Sequence, residues 1–540
     1  MQGLPIEERQ MVVDLIHKLR QRLLPQDKIL EFDEAETFPE SIIRELLGPD
    51  IGLQFVFIPE EFGGMGGGAR DIAIVSEELS RICLGISTAF LAIHLGADPL
   101  IIGGTADQKA KWLGKIADEG CIVAYAVTEP EAGSNLANLK TRAVPIRDSE
   151  GRITTWEISG SKQFISNGGF ADFLTVLADT DEGPTFFVVE KSMPGFKPGK
   201  PENKHGIRCS NTSPLVFDKV RVPAENLIGG IPGQGLKQAN AVFGYTRLMV
   251  AAFGLGAGVE ALHRAIRYAR ERIQFGSPLI EKPGYTHKLL VPNWVNLEAA
   301  RAYIESISEQ IDQGMEDCEV EGSIAKYFAT EAGNRAAEEA IQAFGGYGYM
   351  KEYEIEKIKR DVRITTIYEG TSEIQQMIIG TYRWRNSVRS KGGFYNALAE
   401  QLDALNEPSS DGSAACIAGA VRAVNRLILE VHAARLTRHQ HVLFSLADMI
   451  TYVEVGAALV RKAALVRNPA SVSSRRLRLS ARIFTASILP QIRAMAEQVI
   501  LGTNAVSDDD ADSILSQLAL DTRKANRAII QDMDELVTLL

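Results

Sequence analysis

The stretch MVVDLIHKLRQRLL places Val12, Ile16, Leu19 and Leu23 at three- and four-residue spacing, which is one apolar stripe of a helix. Comparable patterns run to about residue 121 and predict an N-terminal helical domain over 1–121. From 122 the period shortens. The segments IVAYAV, RITTWEIS, DFLTVLA, TFFVVE and LVFDKVRV are short, rich in β-branched and aromatic residues, and divided by turn signals such as Asn167-Gly168-Gly169 and Glu182-Gly183-Pro184. No helix-length pattern separates them, so an antiparallel sheet or small barrel is expected over 122–230. Helical spacing returns from 231. In GSIAKYFATEAGNRAAEEAIQAFGG, Ile324, Phe328, Ala332, Ala336, Ala340 and Phe344 share a face, and Gly345-Gly346 mark its stop. A C-terminal helical bundle is expected over 231–385, and a further helical extension over 386–540. That extension holds a linker by composition, NEPSSDGS at 406–413, and an acidic loop, SDDDAD at 507–512. The fold class is α+β: a helical domain, an antiparallel β domain, a helical bundle and an extra helical domain.

Composition narrows what such a chain does. With 540 residues, 45% hydrophobic and 24% charged, it is long enough to bury large cores without covalent staples. Its net charge of -11 repels a phosphate backbone, which argues against general nucleic-acid binding. The five cysteines, Cys83, Cys121, Cys209, Cys318 and Cys416, are scattered and form no CxxC pair, so neither a metal site nor a disulfide framework is indicated. No uncharged apolar run approaches the roughly 18 residues of a membrane span, and the opening MQGLPIEERQ is too charged for a secretory leader. A reducing setting, the cytoplasm or an equivalent matrix compartment, is the expectation.

Candidate chemistry concentrates in three segments. The glycine cluster FGGMGGGARD at 62–71 is not one of them, because it lacks GxGxxG spacing and no Lys-Ser/Thr follows; a structural connector is expected. The first segment pairs AYAVTEPEAGSN (124–135) with GSKQFISNGG (160–169) on the β unit. Gly133 and Ser134 let backbone amides approach an anion closely, Thr128 and Ser166 offer hydroxyls to the edge of a flat heterocycle, and Phe164 offers a ring to cover it. Plain turn chemistry is the competing explanation. The second is RERIQFGSPL (270–279), where Arg272 can pair with a pyrophosphate and Phe275 can pack on a ring, unless the arginine is only a solvated charge. The third is QAFGGYGYMKEYEIEKIKRDVRITTIYEGTSEIQ (342–375). Its Glu369 stands beside Tyr368 and a flexible Gly370 in a stretch expected to be buried. Burial disfavours the ionised carboxylate and raises its pKa toward values suited to taking a proton from carbon; a helix-start Glu held by amides is the alternative.

Taken together and in order, these segments closely resemble the acyl-CoA dehydrogenase family. Val127-Thr128-Glu129-Pro130 leading to Gly133-Ser134-Asn135 matches its first signature. Gln342 to Gly348, then Arg360-Asp361 and Tyr368-Glu369-Gly370-Thr371, match its second, with Arg272 to Gly276 between them. The resemblance covers about 1–385. It implies FAD, an acyl-CoA thioester oxidised to its trans-2-enoyl form as in fatty-acid β-oxidation, and an electron-transferring flavoprotein as acceptor. Glu369 would be the base for the α-proton. Tyr125, Val127, Thr128, Gly133, Ser134, Phe164 and Ser166 would contact flavin or thioester. Arg272, Gln274, Phe275, Gln342, Gly345 and Gly346 would hold the FAD of a neighbouring subunit, in a homodimer or homotetramer, and Thr371 and Glu373 would approach its pyrophosphate or adenosine. Tyr245, Thr246, Arg247, Tyr368 and Gly370 would line the substrate site, with Arg247 toward the CoA portion. Some members place their base at the position of Thr246, which cannot serve as one.

The departures are as specific as the matches. Asn135 replaces the usual Asp, Pro283 stands where many members have a Gln near the adenine, and the connection LADTDEGPTFF is short. The extension resembles in position that of very-long-chain members, which form dimers and associate with membranes. Within it, Arg461, Lys462, Arg467, Arg475, Arg476, Arg478 and Arg482 form a basic run with no acidic residue, either a solvated helix face or a surface for an anionic membrane or acidic partner. A decarboxylating or dicarboxyl-CoA dehydrogenase, an acyl-CoA oxidase, and a non-enzymatic assembly or scaffold protein that keeps the fold are the alternative functions; His94 and Leu91, near the expected acyl pocket, leave its polarity open.

Overall fold

The computed structural model describes residues 3–405, 412–466, 468 and 470–540. The chain divides into two compact units, the first built mainly from residues up to 256 and the second mainly from 257 onward.

In the first unit six helices precede the strands: α1 (Ile6–Arg22), α2 (Gln26–Glu34), α3 (Glu40–Leu46), α4 (Ala69–Ile82), α5 (Leu84–Gly103) and α6 (Ala106–Glu119). The stripe Val12, Ile16, Leu19 and Leu23 is buried as its spacing predicts. The glycine cluster before α4 is a connector under close approach: a Cβ on Gly64 would stand 1.9 Å from the Ile58 carbonyl oxygen, and one on Gly67 would stand 2.5 Å from that of Val56.

Seven strands follow: β1 (Val123–Ala126), β2 (Arg142–Arg147), β3 (Ile153–Ser166), β4 (Phe173–Thr180), β5 (Gly183–Glu190), β6 (Phe196–Pro198) and β7 (Thr212–Pro223). They form one sheet in the order β1-β4-β2-β3-β7-β6, with β5 on β4. Most pairs are antiparallel, but β4 runs parallel to both β1 and β2, which departs from the all-antiparallel expectation. The edge of β4 opposite β5 is divided between β1 and β2. β5 takes the whole of β4 from Phe173 to Thr180, whereas β1 pairs with Phe173–Val176 and β2 reaches only Asp179, so two short strands share one partner. Trp156, Leu174, Val176, Phe187, Phe217 and Val222 fill the interior. Helix α5 lies against β1 closely enough that a Cβ on Gly96 would stand 2.7 Å from Val123, and Thr175 Oγ1 donates to the Gly96 carbonyl at 3.0 Å.

Helix α7 (Gly235–Glu271) leads to the hairpin β8 (Ile273–Gln274) and β9 (Ser277–Pro278), then to α8 (Pro283–Leu289), α9 (Val291–Asp312), α10 (Glu319–Phe344), α11 (Ile355–Val362) and α12 (Ser372–Arg389). The face of Ile324, Phe328, Ala332, Ala336, Ala340 and Phe344 on α10 is buried, and the helix stops at Gly345, whose φ is +60°. The extension supplies α13 (Gly393–Asp403), α14 (Ser413–Ala433), α15 (Gln440–Ala464), α16 (Val472–Gly502), α17 (Asp508–Ser516), α18 (Thr522–Ala525) and α19 (Ile529–Leu539). Of these, α13, α14 and α15 pack on α12 and α15 also on α10, while α16 packs on α14 and α15 and carries α17, α18 and α19, all in the second unit. A buried ionic cluster binds them: Arg383 on α12 donates to Glu454 on α15 at 2.7 and 2.9 Å and to Glu321 on α10 at 2.7 Å, while Tyr395 on α13 donates to Glu454 at 2.8 Å.

The run 507–512 is not a loop. Ser507 caps α17, its hydroxyl accepting from the Asp510 amide at 3.3 Å, and Asp508, Asp509 and Asp510 occupy the first turn, where the helix dipole favours negative charge. Of the compositional linker, residues 406–411 lie outside the described residues, and Ser413 already begins α14. Leu84–Gly103, Gly235–Glu271 and Gln440–Ala464 are long and apolar enough to cross a membrane by length and composition, although no uncharged run of that length exists. Between 83% and 89% of their apolar windows are buried within the folded chain.

Candidate active site

In the first unit the β1 edge and the turn after it are held by a buried ion pair that sequence reasoning did not single out. Lys162 Nζ lies 2.8 Å from Glu129 Oε1, with both side chains essentially inaccessible. Glu129 also accepts from the amides of Lys140 at 2.6 Å and Thr141 at 3.1 Å, and Lys162 donates to the Val127 carbonyl at 2.9 Å. Burial pushes the Lys162 pKa down to about 8, against the pull of Glu129. Burial works to raise Glu129, but the charge and hydrogen bond of Lys162 with the two amides outweigh it and hold the carboxyl below its ordinary value. The only signal in the sequence was a lysine in a strand that buries alternate residues.

This clamp presents the expected flavin-side residues. Thr128 is half-buried and its carbonyl accepts from the Gln163 amide at 2.9 Å. Mutual backbone bonds between Glu129 and Ala132 close the turn before Gly133 and Ser134, which are exposed. A Cβ on Gly133 would meet nothing within 4 Å, so the backbone there borders open space. Phe164 is 63% exposed with φ +60°, a left-handed conformation that costs a bulky residue energy, and Ser166 is half-buried at the end of the same strand. A large apolar ring held out in strained backbone suits a flat partner. Val127 is buried, and Tyr125 stacks on Phe186 with centroids 5.7 Å apart.

Helix α7 brings Tyr245, Thr246 and Arg247 into this unit, with Thr246 and Arg247 buried. The Tyr245 hydroxyl donates to Asp98 on α5 and lies 3.3 Å from His94 Nε2, itself 3.2 Å from Asp98 Oδ1. His94 and Asp98 are fully buried, and burial pushes His94 down to about 3, so its imidazole is neutral at physiological pH.

In the second unit Glu369 is half-buried, with its Oε2 oxygen buried, rather than wholly enclosed. Its φ of +56° lies in the left-handed region, followed by Gly370 at +90°. Two side chains hold this bend by its carbonyl oxygens. Lys326, fully buried on α10, donates to Gly370 at 2.6 Å. Gln375 on α12 donates to Glu369 at 3.0 Å and to Gly370 at 2.9 Å. A Cβ on Gly370 would stand 2.6 Å from that Gln375 amide nitrogen, so glycine is needed for space as well as for φ. Thr371 caps α12, accepting from the Ile374 amide at 3.4 Å, Glu373 is exposed in its first turn, and Tyr368 is half-buried.

Arg272, Gln274, Gln342, Gly345 and Gly346 line one cavity of about 510 Å³ in the same unit. The Arg272 guanidinium lies 5.6 Å from the Tyr347 ring centroid, and side chains on Gly345 or Gly346 would project into open space. Phe275 does not line the cavity. It forms with Gly276 a two-residue turn in which both φ values are positive, and it is 97% exposed at the hairpin tip. A guanidinium, two amides and glycine backbone around open space fit a pyrophosphate and adenosine.

The basic run of the extension is largely engaged within the chain. Arg461 bonds to Gln401 at 2.5 Å, and Lys462 pairs with Glu305 at 2.5 Å. Arg475 bonds to Glu535 at 3.2 Å, Arg482 pairs with Asp532 at 2.7 Å, and Arg476 lies over Trp294. Arg467 lies outside the described residues. No group of three His, Cys, Asp or Glu able to hold a metal occurs among the described residues.

Three family models match the chain: the acyl-CoA dehydrogenase N-terminal domain over 6–120, middle domain over 124–220 and C-terminal domain over 233–382. An acyl-CoA dehydrogenase of Bacillus subtilis (strain 168) is 37% identical over 381 residues, 69% of this chain and 96% of the relative. An acyl-CoA dehydrogenase from Bacillus anthracis, solved in complex with FAD, superposes with a TM-score of 0.85 at 25% identity, covering 99% of this chain and 96% of its own. Its likeness therefore includes the extension. A structure reported for the electron transferring flavoprotein of Acidaminococcus fermentans matches with a TM-score of 0.65 at 33% identity, covering 70% of this chain and 98% of that one.

Proposed function

The chain belongs to the acyl-CoA dehydrogenase family, an FAD-dependent group of oxidoreductases, and from that premise we propose that it dehydrogenates an acyl-CoA thioester to the trans-2-enoyl-CoA with Glu369 as the base. The observation that carries this is the bend at Glu369: a carboxylate in left-handed backbone, with its own carbonyl held by Gln375 and that of Gly370 held by Gln375 and Lys326. Strained, over-determined backbone of this kind is typical of a residue whose direction matters. Glu369 accepts the proton from the carbon next to the thioester carbonyl, and the bond to hydrogen on the neighbouring carbon breaks with its electron pair leaving. FAD, when bound, supplies the acceptor for that hydride. An acyl chain that displaces water around Glu369 favours its protonated form and so strengthens it as a base.

The remaining residues bind and orient. Arg272, Gln274 and Gln342 would hold the pyrophosphate and adenosine of FAD, with Gly345 and Gly346 leaving room for it. Thr128, Ser134 and Ser166 offer hydroxyls to flavin or thioester, and Phe164 offers an apolar face. Arg247 provides a cation for the CoA phosphates. The exposed Phe275 suits contact with a second copy of the chain in a homo-oligomer. An electron-transferring flavoprotein is the proposed acceptor, supported by the likeness to the Acidaminococcus fermentans structure.

The test is anaerobic bleaching of the bound flavin by straight, branched, alicyclic and dicarboxylic acyl-CoA thioesters. At least one class should bleach it within seconds; bleaching by none would refute the dehydrogenation.

A further inference from the structure

The second unit holds another cavity, partly open to solvent and of about 550 Å³, which none of the proposed reaction residues lines. It lies among α9, α10, α15, α16 and α19, so it exists only because the extension is present. Its volume falls within the range that holds small ligands, roughly 300–1,000 Å³. Phe328, Ile483 and Ile488 give it an apolar wall.

Its polar side is acidic. Glu331 and Asp448 both line it, and the guanidinium that does so, Arg335, is bonded to Glu339 at 3.0 Å. Burial pushes the Asp448 carboxyl above its ordinary value, and nearby Glu331 adds to that, so a cation placed between them would relieve both effects. Thr451 also lines the cavity, is 1% exposed, and its hydroxyl has no hydrogen-bond partner among the described residues. A buried orphan hydroxyl facing a cavity is expected to be satisfied by something that enters it.

The same polar groups hold the helix that follows the proposed base. Ser372 donates to Glu331 at 2.6 Å. Gln376, one turn further along α12, donates to Asp448 at 2.7 Å and to the Tyr327 hydroxyl at 3.1 Å. Tyr327 in turn donates to Asp448 at 2.8 Å.

We propose that this cavity binds an amphipathic ammonium ligand, its aliphatic body against Phe328, Ile483 and Ile488 and its head between Glu331 and Asp448 within reach of Thr451, and that occupancy alters the rate of flavin reduction through α12. The ammonium donates to carboxylates that now accept from Ser372 and Gln376, so it competes for the bonds that hold the first turns of α12. The effect on rate rests on the reading of Glu369 as base; the binding does not.

The probe is n-octylammonium, titrated calorimetrically into the FAD-loaded enzyme, with octanoate as a matched anion. It should bind at least tenfold more tightly than octanoate. Asp448→Asn and Ser487→Trp, the latter at an exposed lining position, should each weaken it at least tenfold. Saturation should change the anaerobic flavin-reduction rate at least twofold. Equal binding of octanoate, or octylammonium affinity unchanged in both variants, overturns the site. Binding with an unchanged reduction rate overturns its coupling to α12, while reduction measured without amine still reports on Glu369 independently.

Discussion

Lys326 donates from a fully buried position to the Gly370 carbonyl at 2.6 Å, so the residue after the proposed base is held by an amine on a different helix. Lys326→Met removes a buried hydrogen bond, a loss of about 1–3 kcal/mol. If that bond directs Glu369, flavin reduction should slow by roughly 10- to 100-fold, with FAD content and acyl-CoA affinity nearly unchanged. Stopped-flow reduction checks this, and an unaltered rate would show that the bend holds without the lysine.

The Glu129–Lys162 pair makes a prediction about pH. Lys162 titrates near 8 in the folded protein, where burial lowers it, and near 10.4 when unfolded. Between those values the unfolded chain binds a proton that the folded one does not, so this group's contribution to stability rises with pH across the window, by about 3 kcal/mol at most. The gap in unfolding temperature between the native protein and Lys162→Met should therefore widen from pH 8 to 10. A constant gap would mean that Glu129 keeps the lysine charged throughout.

The extension is joined to the bundle by charge as well as by apolar contact. Arg383→Met leaves Glu454 and Glu321 without their guanidinium, and breaking a buried pair from one side costs about 3–5 kcal/mol. The melting temperature should fall by several degrees, and Arg383→Met combined with Glu454→Leu should recover much of the loss. A single variant as stable as the native chain would leave the extension held by apolar packing alone.

Residues close in sequence carried most of what could be read in advance. Stripes such as Val12–Ile16–Leu19 and Ile324–Phe328–Ala332 are local, and local periodicity reports burial directly. The parallel pairing of β4 with β1 and β2 was not legible, because pairing joins Val123 to Phe173 and Arg142 to Asp179, separations that no local pattern encodes. The same holds for the groups that position the site. Lys162 is 33 residues from Glu129, and Lys326 is 44 from Gly370; each reads as an ordinary solvated lysine until the fold buries it. The acidic run at 507–512 misled for another reason. Aspartates suggest a loop by composition, yet after a serine cap they are favoured in a first helical turn.

Single-turnover reduction of bound flavin by an acyl-CoA substrate under anaerobic conditions, in Glu369→Gln, tests the proton-removal role most directly. The glutamine keeps the size of the side chain and removes its basicity, so the variant should stay yellow, bind acyl-CoA, and reduce its flavin slower by about 10²–10⁴-fold or more. Reduction at the native rate would contradict the account.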